Sequence, residues 1–450
     1  MINKYNINIP IFITLLNKKS KRRLTIMREN NKLVLSYLSA IFKKKDDGMK
    51  ELLNYISTEC KENEDQTIKL FIDEDLIDLK PYGSTVVHFC CIHDCIETIK
   101  LILSDSNFDP SANDNELIQW ASKNGHVDIV KQLLADKRVD PSAGANLAIC
   151  LASQNGHEKV VKLLLADKRV DPSARNNAAI ECASENGHVE VVKLLLADKR
   201  VDPSACNYAP IECASRNGHV EVVKLLLEYG VDPSAEDNLA IKGALRNGHE
   251  KVVKLLLEYG VDPSANDNFA IKCASKKGYE KVVKLLLEYG VDPSANDNFA
   301  IKCASKNGYE KVVKLLLADK RVDPSAEDNF AIKWTAGNGH VKVVKLLLAD
   351  KRVDPSAGDN LAIRRAAKNG HVEVVKLLLA DKRVDPSARN NLAIRRAAGN
   401  GYVEVVKLLL EYGVDPSAED NLAIKGALRN GHEKVVKLLL EYGKKSEHIG

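Results

Sequence analysis

Two groups of side chains in this chain are of types that do chemistry. One is the run His88-Phe89-Cys90-Cys91-Ile92-His93-Asp94-Cys95. On an unbroken helix His88, Cys91 and Cys95 would share a face, and imidazole with thiolates is a zinc-binding set. The other is a row of histidines that follow Asn-Gly, at His126, His157, His188, His219, His249, His340, His371 and His432. Each has the chemistry of a general base.

Both readings weaken once the chain is laid out as copies of one pattern. Cys90 and Cys91 fall where the next copy has Ala121 and Ser122, and Cys95 falls where it has His126, past a turn. The helix should therefore stop before Cys95, which breaks the shared face, and reduced packing cysteines are expected instead of a metal site. The histidine position is occupied by Tyr279, Tyr309 and Tyr402 in other copies. A residue that a phenol can replace is expected to pack and hydrogen-bond at a helix start. No glycine-rich phosphate loop, carboxylate pair or nucleophile elbow is present. The sequence thus predicts no catalytic residues, no metal and no cofactor, and a protein that is not an enzyme.

The pattern that holds these residues dominates the chain. Asp-Pro-Ser-Ala occurs eleven times, from Asp109 to Asp415, at steps of 30 or 31 residues. A fixed period of that size signals stacked supersecondary units, each unable to bury its apolar side alone. In the unit 231–257, VDPSAEDNLAIKGALRNGHEKVVKLLL, Asp237 or Asn238 is expected to cap a first helix. Ile241 and Ala244 give that helix a small apolar face, and Asn247-Gly248 ends it. Val252, Val253, Leu256 and Leu257 then mark the buried stripe of a second helix. The exit is either Glu258-Tyr259-Gly260, with Gly in a left-handed position, or Ala-Asp-Lys-Arg as at 318–321. The second is one residue longer, which accounts for the two periods.

The remaining composition bounds the setting. The formal net charge is +4 in 450 residues, which points to no strong polyanion partner, and aromatics are only 5%. Of ten cysteines, Cys182, Cys213, Cys273 and Cys303 share one repeat position, which suits reduced, half-buried packing residues in an intracellular protein. No run of eighteen apolar residues exists to span a membrane. Residues 1–30 read as a disordered basic tail. Its Lys18–Arg23 run follows the apolar stretch instead of preceding it, unlike a secretory leader, and its alternative use is nuclear import. Residues 31–80 read as a divergent helical cap, 81–443 as the array and 444–450 as a tail.

These repeats resemble the ankyrin family, whose pattern A-A-x-x-G-H-x-x-V-V-x-L-L-L-x-x-G recurs through eleven units behind a twelfth, divergent one. The Asp-Pro-Ser-Ala and Asp-Asn-x-Ala-Ile phrasing is similar to ankyrin arrays of large DNA viruses of amoebae. The resemblance implies an all-α, helix-turn-helix solenoid of about twelve repeats with short hairpin loops. It also implies a non-catalytic scaffold in the cytoplasm, or a host cell's cytoplasm if viral, that binds a protein through first helices lining a concave side. There are departures. The family's Thr-Pro-Leu-His is Leu239-Ala240-Ile241-Lys242 here, so its tying histidine is missing, and the shorter period removes residues from the hairpin tip.

What varies between units is the exposed face of the first helix. From Lys242 onward it carries Lys242, Arg246, Lys272, Lys276, Lys302, Lys306, Lys333, Arg364, Lys368, Arg395, Lys425 and Arg429, with Arg365 and Arg396 added alongside. This basic ladder suits a protein partner with an acidic surface better than a nucleic acid, since stacking aromatics are scarce. Two other roles stay open: an adaptor that recruits a ligase or other machinery through residues 1–80, and a structural or non-specific viral component. Residues 236–260 and 419–443 are identical, and the last unit has no polar cap, so a frayed last helix pair or end-to-end association is expected.

Overall fold

The computed structural model describes residues 53, 57, 64–73, 79–106 and 108–447. The tail over 1–30 and most of the cap over 31–80 lie outside these. Among the described residues all regular structure is helical, and no strand occurs. The chain forms two units, Met1–Asp232 and Pro233–Gly450. Within each unit antiparallel helix pairs follow one another, and each first helix packs on the next first helix, each second helix on the next second.

The pair Ala235–Asn247 and Glu250–Glu258 shows why the sequence builds this. Val252, Val253 and Leu256 are fully buried and Leu257 nearly so, while Lys251 and Lys254 on the opposite side face solvent. Burying each such side chain is worth roughly 1.5–3 kcal/mol, and that face needs a neighbouring pair to cover it. The first helix buries Ala240, Ile241 and Ala244, residues small enough to let first helices approach closely. Gly248 closes the pair in a left-handed conformation at φ +75°.

The short loop into each first helix is built as a left-handed turn. Asp262 Oδ1 accepts from the Ser264 amide at 2.8 Å and from its hydroxyl at 2.6 Å, a turn that Pro263 pre-sets. Three consecutive residues then take left-handed angles, Asn266, Asp267 and Asn268 at φ 54–59°. Only after them does the right-handed helix begin. The expected capping by Asp237 or Asn238 is therefore corrected: these two sit inside the left-handed turn at φ 55° and 65°. Asn and Asp tolerate that region better than other non-glycine residues, which is why the sequence spends them here. Pro210 fits for the same reason, since it lies in the first right-handed turn after Tyr208, where no amide is needed.

At the described N-terminal end, helix Glu64–Asp73 packs on helix Ile96–Ser104. Asp65 accepts from the amides of Glu97 and Thr98 at 2.8 and 2.7 Å, satisfying donors that a helix start leaves open. The first helix of that pair is Leu79–His93, so it does end before Cys95. At the other end, helix Glu433–Glu447 runs past Gly443 into the stretch read as a tail. Its sequence twin at Gly260 turns left-handed, φ +89°, before Val261-Asp262-Pro263. No Asp-Pro follows Gly443 to draw the chain away.

Candidate binding face

The histidines tie neighbouring pairs together. His157 Nε2 lies 2.8 Å from the carbonyl of Lys123, and His188 Nε2 2.9 Å from that of Gln154. His340, His371 and His432 reach Lys306, Gly337 and Gly399 in the same way. These carbonyls end the preceding first helix and have no partner within it. A carbonyl only accepts, so Nε2 carries the proton. Tyr279 donates its hydroxyl to the Arg246 carbonyl at 3.2 Å, the matching place. Imidazole and phenol are interchangeable here because both present a donor at ring's end. The turn asparagines assist: Asn338 and Asn369 donate to those same carbonyls of Lys306 and Gly337, each at 2.7 Å.

The two kinds of exit differ in what they hold. In the long exit, Arg352 forks onto Asp350 at 2.7–3.0 Å and donates back to the Val322 carbonyl of the preceding loop at 2.6 Å. Arg138, Arg169, Arg200, Arg321 and Arg383 repeat the arrangement. The left-handed Asn supplies a second tie. Asn329 Oδ1 accepts from the Asp354 amide at 2.7 Å, as Asn115, Asn146, Asn177, Asn298 and Asn360 do for the next Asp in turn. Every one of these precedes a long exit. Before the short Glu-Tyr-Gly exit, Asn238, Asn268 and Asn391 leave Oδ1 buried and without a partner. The extra residue thus moves the next Asp amide into reach, a consequence that counting alone did not expose.

The cysteine and histidine run is dispersed. His88 is exposed against the Trp120 ring, 4.3 Å between centroids, while Cys90, Cys91 and Cys95 are buried. Cys91 Sγ points to the Leu117 carbonyl and Cys95 Sγ to that of His93. Burial raises the Cys90 and Cys91 thiols well above their ordinary range. Cys182, Cys273 and Cys303 are half-buried and Cys213 buried, and burial pushes the Cys213 thiol up to about 12.

The basic ladder divides into two columns. Its first column turns inward. Lys302 and Lys333 are 7% and 9% exposed and Arg364 5%. Lys302 pairs with Glu327, Lys333 with Asp328 at 2.8 Å, Lys272 with Asp267 at 3.1 Å, and Arg364 donates to the Gly358 carbonyl at 2.7 Å. Lys242 and Arg395 are half-buried and Lys425 exposed. Arg246, Lys276, Lys306, Lys368 and Arg429, the second column, are exposed. Arg365 and Arg396 are half-buried between them. The carboxylates that neutralise the first column come from the left-handed turns, which the sequence did not show to lie against it. Trp334 joins this face: Lys306 and Arg365 stand over its ring at 4.9 and 4.0 Å from the centroid. Its sequence signal is a bulky aromatic at a position that is Cys303 in the preceding copy and Arg365 in the following one. By contrast, exposed charges of the second helices pair across copies, Lys281 with Glu250, Lys311 with Glu280 and Lys342 with Glu310.

Among the described residues no group of three histidine, cysteine or acidic side chains is placed to hold a metal ion, and no helix is long and apolar enough to cross a membrane. The family model for ankyrin repeats (3 copies) matches the chain in eight overlapping segments that run from residue 24 to residue 448. No curated protein matches. Ankyrin repeats are generally protein–protein interaction modules, typically without catalysis of their own. With its matched segments spanning the helix pairs just described, the chain belongs to the ankyrin repeat family.

Proposed function

We propose that this protein is a non-catalytic scaffold that binds an acidic protein surface along the first helices of residues 235–429. The observation that carries the reading is the asymmetry of charge between the two helix layers. Second-helix charges alternate in sign and pair with one another, whereas Arg246, Lys276, Lys306, Lys368 and Arg429, at a position interrupted by Gly337 and Gly399, are exposed and make no ion pair among the described residues. Basic residues in a helix's last turn also suit its dipole, but that effect does not require the same helix edge to be basic from pair to pair. The inward column, Lys272, Lys302, Lys333 and Arg364, fixes the stack instead of reaching a partner.

The test uses the full chain with poly-glutamate as the acidic polypeptide. Binding is expected to weaken with added salt, because exposed charges are screened over about 8 Å at physiological ionic strength. Reversal of Lys276, Lys306, Lys368 and Arg429 to Glu should lower affinity at least tenfold without changing the helical circular dichroism. Unchanged binding in the reversed protein would remove this face from consideration.

A further inference from the structure

Charge compensation fails at the most deeply buried basic residue of the second unit's first column. Its buried neighbours each have a carboxylate, Lys302 with Glu327 and Lys333 with Asp328, as does half-buried Lys272 with Asp267. Arg364 does not. The residue placed relative to it as Glu327 is to Lys302 is another cation, Arg389, and that arginine takes Asp359, the match of Asp328, at 2.7 Å. Arg364 is 5% exposed, and its Nε–H has no partner. Beside it Arg365 lies over the Trp334 ring with its Nη1 buried and also unpartnered. Burial lowers the pKa of both arginines, and repulsion adds to it, from Arg389 and Arg396 at Arg364 and from Arg396, a third guanidinium on the following pair, at Arg365. A buried donor on a cation is costly to leave open, so the cluster is built as though an anion completes it.

Glycines stand on one side of the cluster. Where neighbouring copies have Lys306 and Lys368, the positions next to this cluster are Gly337 and Gly399. A Cβ on Gly337 would stand 3.2 Å from the Arg365 Cβ, and one on Gly399 would meet nothing closer than 3.9 Å. Gly426, opposite Gly399, opens the same notch, its added Cβ 3.7 Å from the Gly399 backbone. Gly337 is buried against Arg365, so the backbone left open to a bound segment is that of the half-exposed Gly399 and Gly426.

We infer that Arg364, Arg365 and Arg396 form a phosphoryl-binding site that takes a phosphorylated side chain of the partner, with Trp334 as the wall beside it. This deepens the proposed acidic-partner reading and rests on it. A phosphomonoester brings close to two negative charges and three acceptor oxygens, which matches three guanidiniums. A carboxylate brings one charge and two oxygens. Guanidinium forks are also the side chains best shaped to hold phosphate in a fixed orientation.

The experiment uses the full chain, with inorganic phosphate at constant ionic strength and an immobilised phosphoserine peptide library as probes. The library's serine and glutamate counterparts are the controls. Phosphate should perturb the fluorescence of Trp334, and phosphopeptides should be retained at least tenfold more tightly than either counterpart. Arg365→Gln and Arg396→Gln should each weaken both effects tenfold or more. Unliganded Arg396→Gln should melt no lower than the wild type, because Arg396 has no partner to lose among the described residues and its removal relieves repulsion. A purely structural arginine would lower the melting temperature. Equal retention of glutamate peptides, or phosphate effects that persist in both variants, overturns the site. The Lys276, Lys306, Lys368 and Arg429 reversal separates the two proposals: poly-glutamate binding should fall while phosphate binding stays, unchanged poly-glutamate binding overturns the acidic-face reading alone, and phosphate binding that persists in Arg365→Gln and Arg396→Gln overturns the phosphoryl site alone.

Discussion

At the scale of single residues, the recurring letters are structural devices, and their roles follow from what they can donate. The histidine row could be read correctly from sequence because tyrosine replaces it, which leaves donation and ring packing as the shared property. Its partner could not be read, since the accepting carbonyl lies in the preceding copy, 34 residues away in the case of His340 and Lys306. The glycines before these rings make the point testable. Gly308 is left-handed at φ +79°, and an added Cβ would stand 2.5 Å from His340 Nδ1. Gly260 is left-handed at φ +89° with nothing within 4 Å. Left-handed strain alone costs about 1–2 kcal/mol, and displacing His340 adds about 1 kcal/mol for its hydrogen bond. Gly308→Ala should therefore lower the urea midpoint clearly more than Gly260→Ala. Equal shifts would show that the ring moves aside at no cost.

At the scale of elements, the exit loops decide how firmly neighbouring pairs are joined. The 30- and 31-residue steps were legible as a length difference. That the long form carries an Arg clamp and an Asn tie was not, because both bonds join loops of different copies. Arg352→Gln removes the bond to the Val322 carbonyl and the fork onto Asp350, and should cost about 1 kcal/mol at pH 7. The pH dependence has a definite sign. The Arg352 guanidinium holds the Asp350 carboxyl below its ordinary value, against an opposing effect of burial. A carboxyl lowered by folding contributes stability that is present above its unfolded pKa of about 3.9 and lost as pH falls through the folded value. The gap between variant and wild type should thus narrow in acid. A gap that stays unchanged below about pH 4 would show that the carbonyl bond, which does not titrate, dominates over the ion pair.

At the scale of the molecule, the array contains its own control for the effect of a neighbour. Residues 236–260 and 419–443 are identical in sequence. Leu245 and Leu257 are 0% and 4% exposed, while their twins Leu428 and Leu440 are 60% and 50% exposed. The difference comes from the next helix pair, which covers the first copy, whereas among the described residues none covers the second. Intrinsic amide exchange rates depend on local sequence and are the same in both, so exchange reads this neighbour effect directly. Amides of 433–440 should exchange at least tenfold faster than those of 250–257, followed in peptides that continue into Lys444 or Val261 so that the copies are told apart. Equal protection in a monomer shown as such by sedimentation would contradict a loosened last pair, and equal protection with a dimer would favour end-to-end association through Leu428 and Leu440.

The sequence by itself determined the helix pairs, their period, the buried valine and leucine stripes and the scaffolding role of the histidines. These are set by periodicity and by turn residues, which act within one copy. The tertiary structure decided everything that depends on the copy next door. It built the short loops as left-handed turns whose asparagines reach the following loop. It placed carboxylates against Lys272, Lys302 and Lys333, which turn inward with Arg364, and it left Arg364, Arg365 and Arg396 with no ion pair among the described residues. A residue's helical face can be counted along the chain, but its exposure is set by the neighbouring copy, and its counter-charge by a left-handed turn that brings Asp328 back onto Lys333 and Glu327 onto Lys302 of the preceding copy, which no periodicity shows.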